Sequence, residues 1–432
     1  MKRRILLFLL AACLGLTACQ AAGIPGEQPA SRPGETPTPS SHAPETAAPE
    51  PSTELSTTEP HPSLPEIPAA EGLGFNKLDN SLIAYLRANG LEQKSFTVSP
   101  LSLKAALALT VLGAEGETQR QLLDVMGFAG VEELSAWYAS VLKGCAQFDE
   151  RINGRDKADS AYRVVNAIFH NADCDGEFRD SYRELAARVL EARAESCPAS
   201  AITEAINNWV NKETNGMIPN LVQDASQSAA VLVNALYLKT KWLEAFGESP
   251  LTEFTTVSGQ VVEKEFIEKT DRFQYYEDGE NQIVVLPMQG GINLALVLGD
   301  GSNLPEKLGA AEYRKVHVSL PKFQVETSLD QKELVNYLRA RGCGDMFSES
   351  CQDFDPMFTK GIHVDDIIQK AKVKVDEKGL EAAAATAVIM MRNTAMPNPE
   401  LPAQFTADRP FQFVIYREDE APELLFWGQI MD

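Results

Sequence analysis

Apolar residues recur at helical spacing between residues 75 and 150. Phe75 to Asn89 follows this spacing and stops before Gly90, which predicts a helix. Ser99-Pro100 then provides a capping serine and a first-turn proline, and the run that follows to Leu112 is apolar on nearly every face. We therefore predict a central, buried helix there. Further helices are predicted over Thr118 to Met126 and Val131 to Phe148.

The pattern from residue 161 onward is mostly typical of strands. Ala229 to Trp242 is apolar on both faces, as expected of a central strand. Because helices come first and strands follow without a βαβ rhythm, we predict one large α+β domain. The remaining predicted helices are Glu177 to Ala194, which is mainly helical, a helix within 200–222 that is closed by Asn215-Gly216, and Gln331 to Ala340. The remaining predicted strands are Ala161 to His170, several within Phe254 to Leu298, Val316 to Glu326, Gly361 to Val375, Phe411 to Tyr416 and Leu424 to Ile430.

One segment, Glu377 to Pro399, fits neither pattern. It reads "EKGLEAAAATAVIMMRNTAMPNP", with four consecutive alanines, an apolar second half, a single arginine at Arg392 and a Pro-Asn-Pro end. Alanines favour a helix, but the segment has no polar face and lies just before the last strands. A local exposed helix is one interpretation of this run, and a segment with a special role is the other.

The N-terminus predicts export. Lys2, Arg3 and Arg4 precede a short apolar run, Ile5 to Leu16, which is shorter than a membrane span. Leu16 to Cys19 ("LTAC") resembles the lipobox of bacterial lipoproteins, which predicts lipidation at Cys19; the alternative is an ordinary secretory signal. Residues 20–70 are dominated by Pro, Ser, Thr, Glu and Ala and should stay extended. We predict a signal peptide over 1–19, a disordered tether over 20–70 and a folded domain over 71–432.

Charge and motif content exclude several function classes. A net charge of −22 argues against nucleic acid as a partner. No G-x-S-x-G, H-E-x-x-H, P-loop or dinucleotide-binding motif occurs, and the three histidines beyond the tether, His170, His317 and His363, suggest no site. We therefore expect no enzyme activity, no metal and no cofactor. A solute-binding lipoprotein would match the anchor, but its usual repeated βα units are missing.

Six motifs along the folded part resemble those of the serpin family, from about Phe75 to Asp432. They occur in the family's order, and together they are far more specific than any one alone. The motifs are "FTVSPLSLKAALALTVLGAEGET" (96–118), "INNWVNKETNGMIPNLV" (206–222), "VLVNALYLKTKW" (231–242), "LPKFQVETSLD" (320–330), "KVDEKGLEAAAATA" (374–387) and "RPFQFVIYREDEAPELLFWGQI" (409–430). The resemblance implies a large mixed β-sheet with two smaller sheets, about nine helices and an exposed reactive-centre loop.

By this resemblance, Glu377 to Pro397 is the reactive-centre loop, a bait for a protease. The part ahead of the cut would insert into the main sheet as a new strand, a form of strand addition that serpins are known for. The implied hinge and insertion residues are Glu377, Gly379, Leu380, Glu381, Ala382, Ala383, Ala384, Ala385 and Thr386. Alternate residues should face the core: Leu380, Ala382, Ala384, Thr386, Val388 and Met390. The alanines suit this role because a strand that slips between two others needs small, uncharged side chains.

The family mechanism that this implies is suicide inhibition. The protease forms an acyl-enzyme with the loop, and insertion of about 14 residues at roughly 3.3 Å each then carries the enzyme some 45 Å along the sheet. Distortion of the enzyme's oxyanion hole and triad prevents hydrolysis. The native state would be metastable, with strain that insertion releases.

The resemblance also places a sheet-opening cluster at Ser99, Ser102, Asn234, Trp242 and Gln369, with Trp242 where the top of the sheet opens. Two residues depart from the family pattern. Gln369 stands where a histidine is usual; since Gln both donates and accepts, we expect altered stability or latency and an intact fold. Leu380 stands where Thr or a smaller residue is usual, so we expect slower insertion.

Two scissile bonds remain open. The family spacing from Glu377 places the bond at Asn393-Thr394, whereas a trypsin-like enzyme would cut at Arg392-Asn393, after the loop's single arginine. Met390 and Met391 suit elastase- or subtilisin-like enzymes but would shorten the inserted strand. We favour Arg392-Asn393 slightly.

The expected partner is a serine protease, either trypsin-like or subtilisin/elastase-like, with a cysteine protease as a further option. We expect a monomer, displayed on the outer side of a bacterial cell membrane through the lipid on Cys19 or else secreted, and touching the membrane only through that lipid. The alternative function is a non-inhibitory serpin-fold lipoprotein that acts as a binding protein or chaperone.

Overall fold

The computed structural model describes residues 72–152, 154, 156–157, 159–329, 331–348, 350–361, 363–380, 401–419 and 422–432. These belong to one compact unit within His61–Asp432. The predicted signal peptide, the predicted tether and residues 381–400 of the predicted loop lie outside the described residues. Within the described ranges, no helix is long and apolar enough to cross a membrane.

Eight α-helices occur in the described residues, most of them in the first half of the chain. Helix α2 follows the capping rule that the sequence predicted: the Ser99 side chain accepts a hydrogen bond from the Ser102 backbone, Pro100 opens the first turn, and Gly113 caps the end. Every residue of α2 is buried, so the prediction of a central helix is confirmed. The helices are α1 (Lys77–Leu86), α2 (Pro100–Leu112), α3 (Gly116–Met126), α4 (Val131–Arg151), α5 (Asp180–Leu190), α6 (Ala199–Glu213), α7 (Leu304–Gly309) and α8 (Gln331–Ala340).

Fifteen strands are described. They are β1 (Phe96–Val98), β2 (Ala161–Asn171), β3 (Arg193–Cys197), β4 (Ala230–Lys241), β5 (Gly247–Thr255), β6 (Val261–Glu277), β7 (Gln282–Pro287), β8 (Ile292–Leu298), β9 (Glu312–Pro321), β10 (Phe323–Leu329), β11 (Asp366–Asp376), β12 (Gly379–Leu380), β13 (Ala403–Thr406), β14 (Phe411–Arg417) and β15 (Glu423–Ile430).

The strands form two sheets. One has six strands in the order β10-β11-β12-β4-β2-β3, and the other has nine, in the order β1-β15-β14-β8-β7-β6-β9-β13 with β5 on β6. The α+β prediction is confirmed. The two smaller sheets expected from the resemblance share the 17-residue strand β6, which pairs with β5, β7 and β9 and therefore joins them into one.

The six-stranded sheet is packed against other elements on both of its faces. Phe323 of β10 contacts Phe411 and Phe413 of the nine-stranded sheet, with ring centroids 5.7 and 5.2 Å apart. On its other face, helix α6 packs through Trp209, whose ring centroid lies 6.0 Å from that of Phe169 on β2. Helix α6 therefore covers the face of this sheet that points away from Phe411 and Phe413.

Two sequence predictions of elements were wrong. Val316 to Glu326, predicted as one strand, is two strands in different sheets, because Pro321 lacks a backbone N–H and the Lys322 N–H bonds to Glu265 O at 2.7 Å as the chain leaves the first ladder. Residues 191–194, predicted as helix, contain the left-handed residue Glu191 that ends α5, and then the start of β3.

Candidate functional site: an incomplete ladder in the six-stranded sheet

Strands β4 and β11 pair with each other only at one end. Three parallel pairs join them: Asp366 with Val231, Ile367 with Leu232 and Ile368 with Val233. At the opposite end the two strands are held apart by the short strand β12, which pairs with both: Leu380 lies level with Val375 and Thr240, and Gly379 with Asp376 and Lys241. Between these ends, β4 and β11 have no pairing with each other in the described residues.

On the edges that face away from each other, both strands are hydrogen-bonded to a neighbouring strand. Strand β4 pairs antiparallel with β2 from Ala230 to Lys239, and β11 pairs antiparallel with β10 from Gln369 to Val375. The facing edges, residues 234–239 and 369–374, therefore form a slot that one more strand could occupy. A small cavity of about 10 Å³ lies in it, bordered by Leu238, Val373 and Leu380 and, from the core behind, by Ile415 and Phe426.

Leu380, the first residue of the predicted insertion segment to face the core, is already in the sheet. Its side chain is buried, as are Val375 and Thr240 at the same level. In this structure Leu380 has already entered the sheet, which is the step that its bulk was expected to slow. Slower insertion therefore stays a prediction with less support. Residues Glu381, Ala382, Ala383, Ala384, Ala385 and Thr386, which would follow it, lie outside the described residues.

Two aromatic residues that follow β4 donate hydrogen bonds to the backbone at the start of the hinge. The Trp242 backbone N–H donates to Lys378 O at 3.0 Å and its indole Nε1 donates to Asp376 O at 2.9 Å. The Phe246 N–H donates to Glu377 O at 3.0 Å, and its ring centroid is 5.0 Å from that of Trp242. Trp242 therefore binds the hinge backbone directly, at the end of the sheet where the resemblance placed it.

A lysine at the junction of β9 and β10 neutralises the carboxylates beside the hinge. The Lys322 ammonium lies 3.0 Å from Glu377, 3.4 Å from Glu248 and 3.4 Å from Glu265. Burial acts to raise the pKa of Glu377, but its backbone hydrogen bond and the Lys322 charge outweigh burial, and the pKa is lowered. The hinge is thus tied to the second sheet by charge as well as by backbone bonds.

A buried polar cluster crosses the middle of the slot. The Ser102 hydroxyl donates to Asn234 Oδ1, and Asn234 Nδ2 donates to Val165 O and to Asn166 Oδ1 on β2. Asn166 Nδ2 donates in turn to the Tyr138 hydroxyl at 2.7 Å. The cluster therefore links α2, β4, β2 and α4 behind the unpaired edges.

Gln369 connects β11 to the same cluster through hydrogen bonds to the backbone of Ser99. Its Nε2 donates to Ser99 O at 2.8 Å, and its Oε1 accepts from the Ser99 N–H at 3.2 Å. The Ser99 hydroxyl accepts from the Ser102 N–H at 3.1 Å. Gln369 is buried, and its amide satisfies both polar groups of the Ser99 backbone at the start of α2.

The predicted sheet-opening residues divide into two places. Ser99, Ser102, Asn234 and Gln369 meet in the central cluster, whereas Trp242 lies at the hinge end, apart from them. Sequence reasoning missed Asn166, Tyr138, Lys322 and Phe246. A signal existed for Asn166: it is a polar residue within an apolar strand pattern, and it lies directly opposite Asn234. The predicted scissile residues Arg392, Asn393 and Thr394 and the lipidation residue Cys19 lie outside the described residues.

The segment after α6 covers the slot. Met217 borders the slot cavity, and Lys370 on β11 donates to Asn220 O at 3.4 Å. This segment would have to move for a strand to enter.

Among the described residues, no group of His, Cys, Asp or Glu is arranged to hold a metal. Cys145, Cys174, Cys197, Cys343 and Cys351 are all free. The unpaired polar groups that face the slot are backbone groups of β4 and β11.

Comparison with known proteins gives a consistent family match. The family model described as serpin (serine protease inhibitor) matches residues 76–432. Serpin B6 of Macaca fascicularis is 31% identical over 365 residues, which cover 78% of this chain and 93% of the relative. Serpin48 of the insect Tenebrio molitor superposes with a TM-score of 0.66 at 26% identity, covering 82% of this chain and 97% of that one. Human thyroxine-binding globulin, solved with thyroxine, superposes at 0.71 with 19% identity, covering 82% and 96%.

Proposed function

The chain belongs to the serpin family, and we propose that it inhibits a serine protease as a suicide substrate. The observation that carries this proposal is the incomplete ladder between β4 and β11. A sheet that left two edges unpaired for no reason would lose stability, since buried backbone groups are normally hydrogen-bonded. An edge pair held open at one end by the hinge is suited to receive the rest of the loop.

The register of the sheet supports insertion. At the closed end, paired residues of β4 and β11 differ by 135 in number, as Asp366 and Val231 do, and at the hinge end Val375 and Thr240, both level with Leu380, differ by the same amount. A strand that continued from β12 would therefore pair with both neighbours without slipping either of them. Register changes are costly in a sheet with a buried face, so this alignment removes one barrier.

Extending the β12 register gives the partners of each inserted residue. Thr386 would lie level with Gln369 and Asn234, beside the central polar cluster, and Ile389 would lie level with Asp366 and Val231. Residues of the same parity as Leu380 would face the core, where alanines fit a narrow slot. The three existing pairs between β4 and β11 would have to separate for the last of these residues to enter.

The chemistry belongs to the protease. Its serine Oγ attacks the loop carbonyl, the peptide bond breaks, the new amine leaves with a proton from the catalytic histidine, and an ester joins enzyme and inhibitor. Insertion of the segment ahead of the cut would then move the enzyme along the sheet before water can hydrolyse the ester. The chain itself would act as an inhibitor rather than a catalyst.

We further propose that the target cuts at Arg392-Asn393 or Asn393-Thr394. The choice depends on the enzyme: Arg392 suits a trypsin-like specificity pocket, and the family spacing from Glu377 favours Asn393-Thr394. A subtilisin- or elastase-like enzyme would cut at the methionines, and mostly without being trapped, because the inserted strand would be shorter.

A panel of serine and cysteine proteases tests the proposal. We expect at least one to form a complex that survives boiling in SDS, and mass spectrometry of the released C-terminal peptide to show Asn393 or Thr394 as its first residue. A first residue of Met391 or Arg392 would overturn both proposed bonds. If every protease only nicks the loop, and the nicked protein gains no thermal stability, the chain is instead a non-inhibitory binding protein or chaperone with a serpin fold.

For localisation, we propose that the mature chain begins at a lipidated Cys19 and is held on the outer side of a bacterial membrane by the 20–70 tether. The "LTAC" sequence and the composition of the tether support this. Cys19→Ala should release the protein from the membrane fraction. Identical fractionation of the variant and the unaltered chain would show that the lipid is absent.

A further inference from the structure

A second cavity lies away from the slot, where β2 and β3 end beside helix α5. Its volume is about 650 Å³, within the range of small-molecule sites, which is roughly 300–1,000 Å³. Its lining is mostly polar and includes residues of both strands, of the first turn of α5 and of the 359–360 segment. Nothing in the inhibitor mechanism uses this cavity.

A buried histidine in the cavity lining lacks a partner. His170 on β2 is 1% exposed, and its Nε2 has no hydrogen-bond partner in the described structure. Its Nδ1 lies 3.3 Å from the Ser196 hydroxyl on β3, which also accepts from Arg183 Nη2 at 3.5 Å. With the serine hydrogen directed to Nδ1, the ring hydrogen lies on Nε2, where it is an unused donor. Burial, and then the Arg183 charge, lower the pKa of His170 and so favour the neutral ring.

The charges around the cavity are of both signs, and several are unpaired. Arg183 forms no ion pair in the described residues, although its guanidinium stacks on Phe178 at 5.4 Å. Glu177 and Asp180 also line the cavity, and neither forms an ion pair in the part of the chain that the structure describes. Lys360 and Asp175, by contrast, neutralise each other at 3.0 Å. A simple anion would meet the two free carboxylates, and a simple cation would meet Arg183.

We propose that this cavity binds a small zwitterion, a free amino acid or a dipeptide. Its carboxylate would accept from His170 Nε2 and from Arg183, and its ammonium would bind Glu177 and Asp180. This assignment uses each unpaired charged group of the lining, and it explains why a buried donor is left without an acceptor, whereas His317 and His363, the other two histidines in the described residues, have polar neighbours.

Binding to the full-length chain can be measured by calorimetry and ligand-observed NMR. The probes are each of the twenty common amino acids and glycylglycine, with acetate and methylammonium as single-charge controls. We expect at least one zwitterion to bind at millimolar concentration or better, and both controls to bind about tenfold more weakly, since each lacks one charged contact.

Variants at exposed positions test the assignment without disturbing the fold. Arg183→Gln and Glu177→Gln should each weaken binding by about tenfold. Arg188 and Glu184 lie on helix α5, as Arg183 does, but outside the cavity lining. Arg188→Gln and Glu184→Gln should therefore leave the affinity unchanged. His170→Phe, which keeps the ring contacts, should weaken binding as well. The proposal is overturned if no zwitterion binds, if acetate binds as well as the zwitterions, or if Arg183→Gln and Glu177→Gln bind as the unaltered chain does.

Discussion

The two sheets of this protein are built from similar strands but are completed to different degrees. In the nine-stranded sheet, β8 and β14 are hydrogen-bonded on both edges along nearly their whole length. In the six-stranded sheet, the central pair β4 and β11 is joined over three residues at one end and separated by β12 at the other. The strands also differ in burial: β8 and β14 are buried along their whole length, whereas β11 is buried on one face and carries Lys370, Lys372 and Lys374 on the other.

This contrast indicates which of the two sheets can accept another strand. A sheet with every edge paired gains nothing from another strand, whereas the slot would gain ladder bonds on two edges, each worth about 1 kcal/mol net. The polar contacts that hold the slot in its present state involve Gln369, Trp242 and Lys322, and Lys322 also reaches the nine-stranded sheet through Glu248 and Glu265. Substitutions in the two sheets should therefore have different consequences.

The largest effect is expected from Ala382→Pro. Proline cannot donate to a ladder, so the loop should be cut without the enzyme being trapped. The measurement is the fraction of protease found in the SDS-stable complex, which should fall to near zero. Ala382→Ser is the matched control, because it keeps the N–H and a small side chain. Wild-type trapping by the proline variant would rule out insertion past this residue.

Gln369→Ala should come next. It leaves the buried Ser99 N–H without its partner, at a cost of about 1–3 kcal/mol. The Ser99 carbonyl loses one bond but keeps the Leu103 N–H at 3.2 Å. The control is Gln429→Ala in the nine-stranded sheet, where Nε2 donates to the carbonyls of Leu91, Glu92 and Lys94 at 2.9 Å each. Both variants should lower the melting temperature. Only Gln369→Ala should speed loss of inhibitory activity on storage, and equal rates would remove the distinction between the sheets.

Lys322→Met should have a moderate effect, about 1 kcal/mol, because the pairs are partly exposed. The lowered pKa of Glu377 means that its contribution to stability is present above its ordinary pKa of 4.5 and is lost as pH falls through the lower folded value. The difference in melting temperature between Lys322→Met and the unaltered chain should therefore be larger at neutral pH than well below pH 4.5. A difference that does not change with pH would indicate that the ion pair with Glu377 contributes little.

Leu380→Thr should have the smallest effect on trapping. Leu380 is buried in the sheet before cleavage and would stay there afterwards, so its replacement affects both states alike. We expect a modest loss of stability and a trapping rate within about threefold of the unaltered chain. A much faster rate would restore the expectation drawn from the sequence, that the bulk of leucine slows insertion.

The sequence predicted the fold well wherever a pattern repeated along one element. Helix α2 and strand β4 were found because their caps and their apolar runs are local signals. The break at Pro321 was missed although the sequence marks it: apolar residues fall at 316, 318 and 320 and then at 323 and 325, so the alternation shifts by one residue where the chain changes sheets. Which sheet a strand joins depends on distant partners, and no local pattern encodes it.

The resemblance indicated candidate residues for the site but not the hydrogen bonds that connect them. Ser99, Ser102 and Asn234 lie in one hydrogen-bonded cluster, and Gln369 reaches that cluster through the Ser99 backbone, which no side-chain pattern could show. Lys322 was missed because its three carboxylate partners come from β5, β6 and the hinge, which are far apart in the sequence.

Hydrogen exchange before and after cleavage of the loop tests the central claim most directly. The account predicts that cleavage slows exchange of backbone amides in residues 234–239 and 369–374, whose facing edges form the slot, while amides of β8 and β14 change little. The cleaved protein should also melt at a higher temperature. Unchanged exchange in both segments after complete cleavage would contradict the account, since it would show that the slot stays empty.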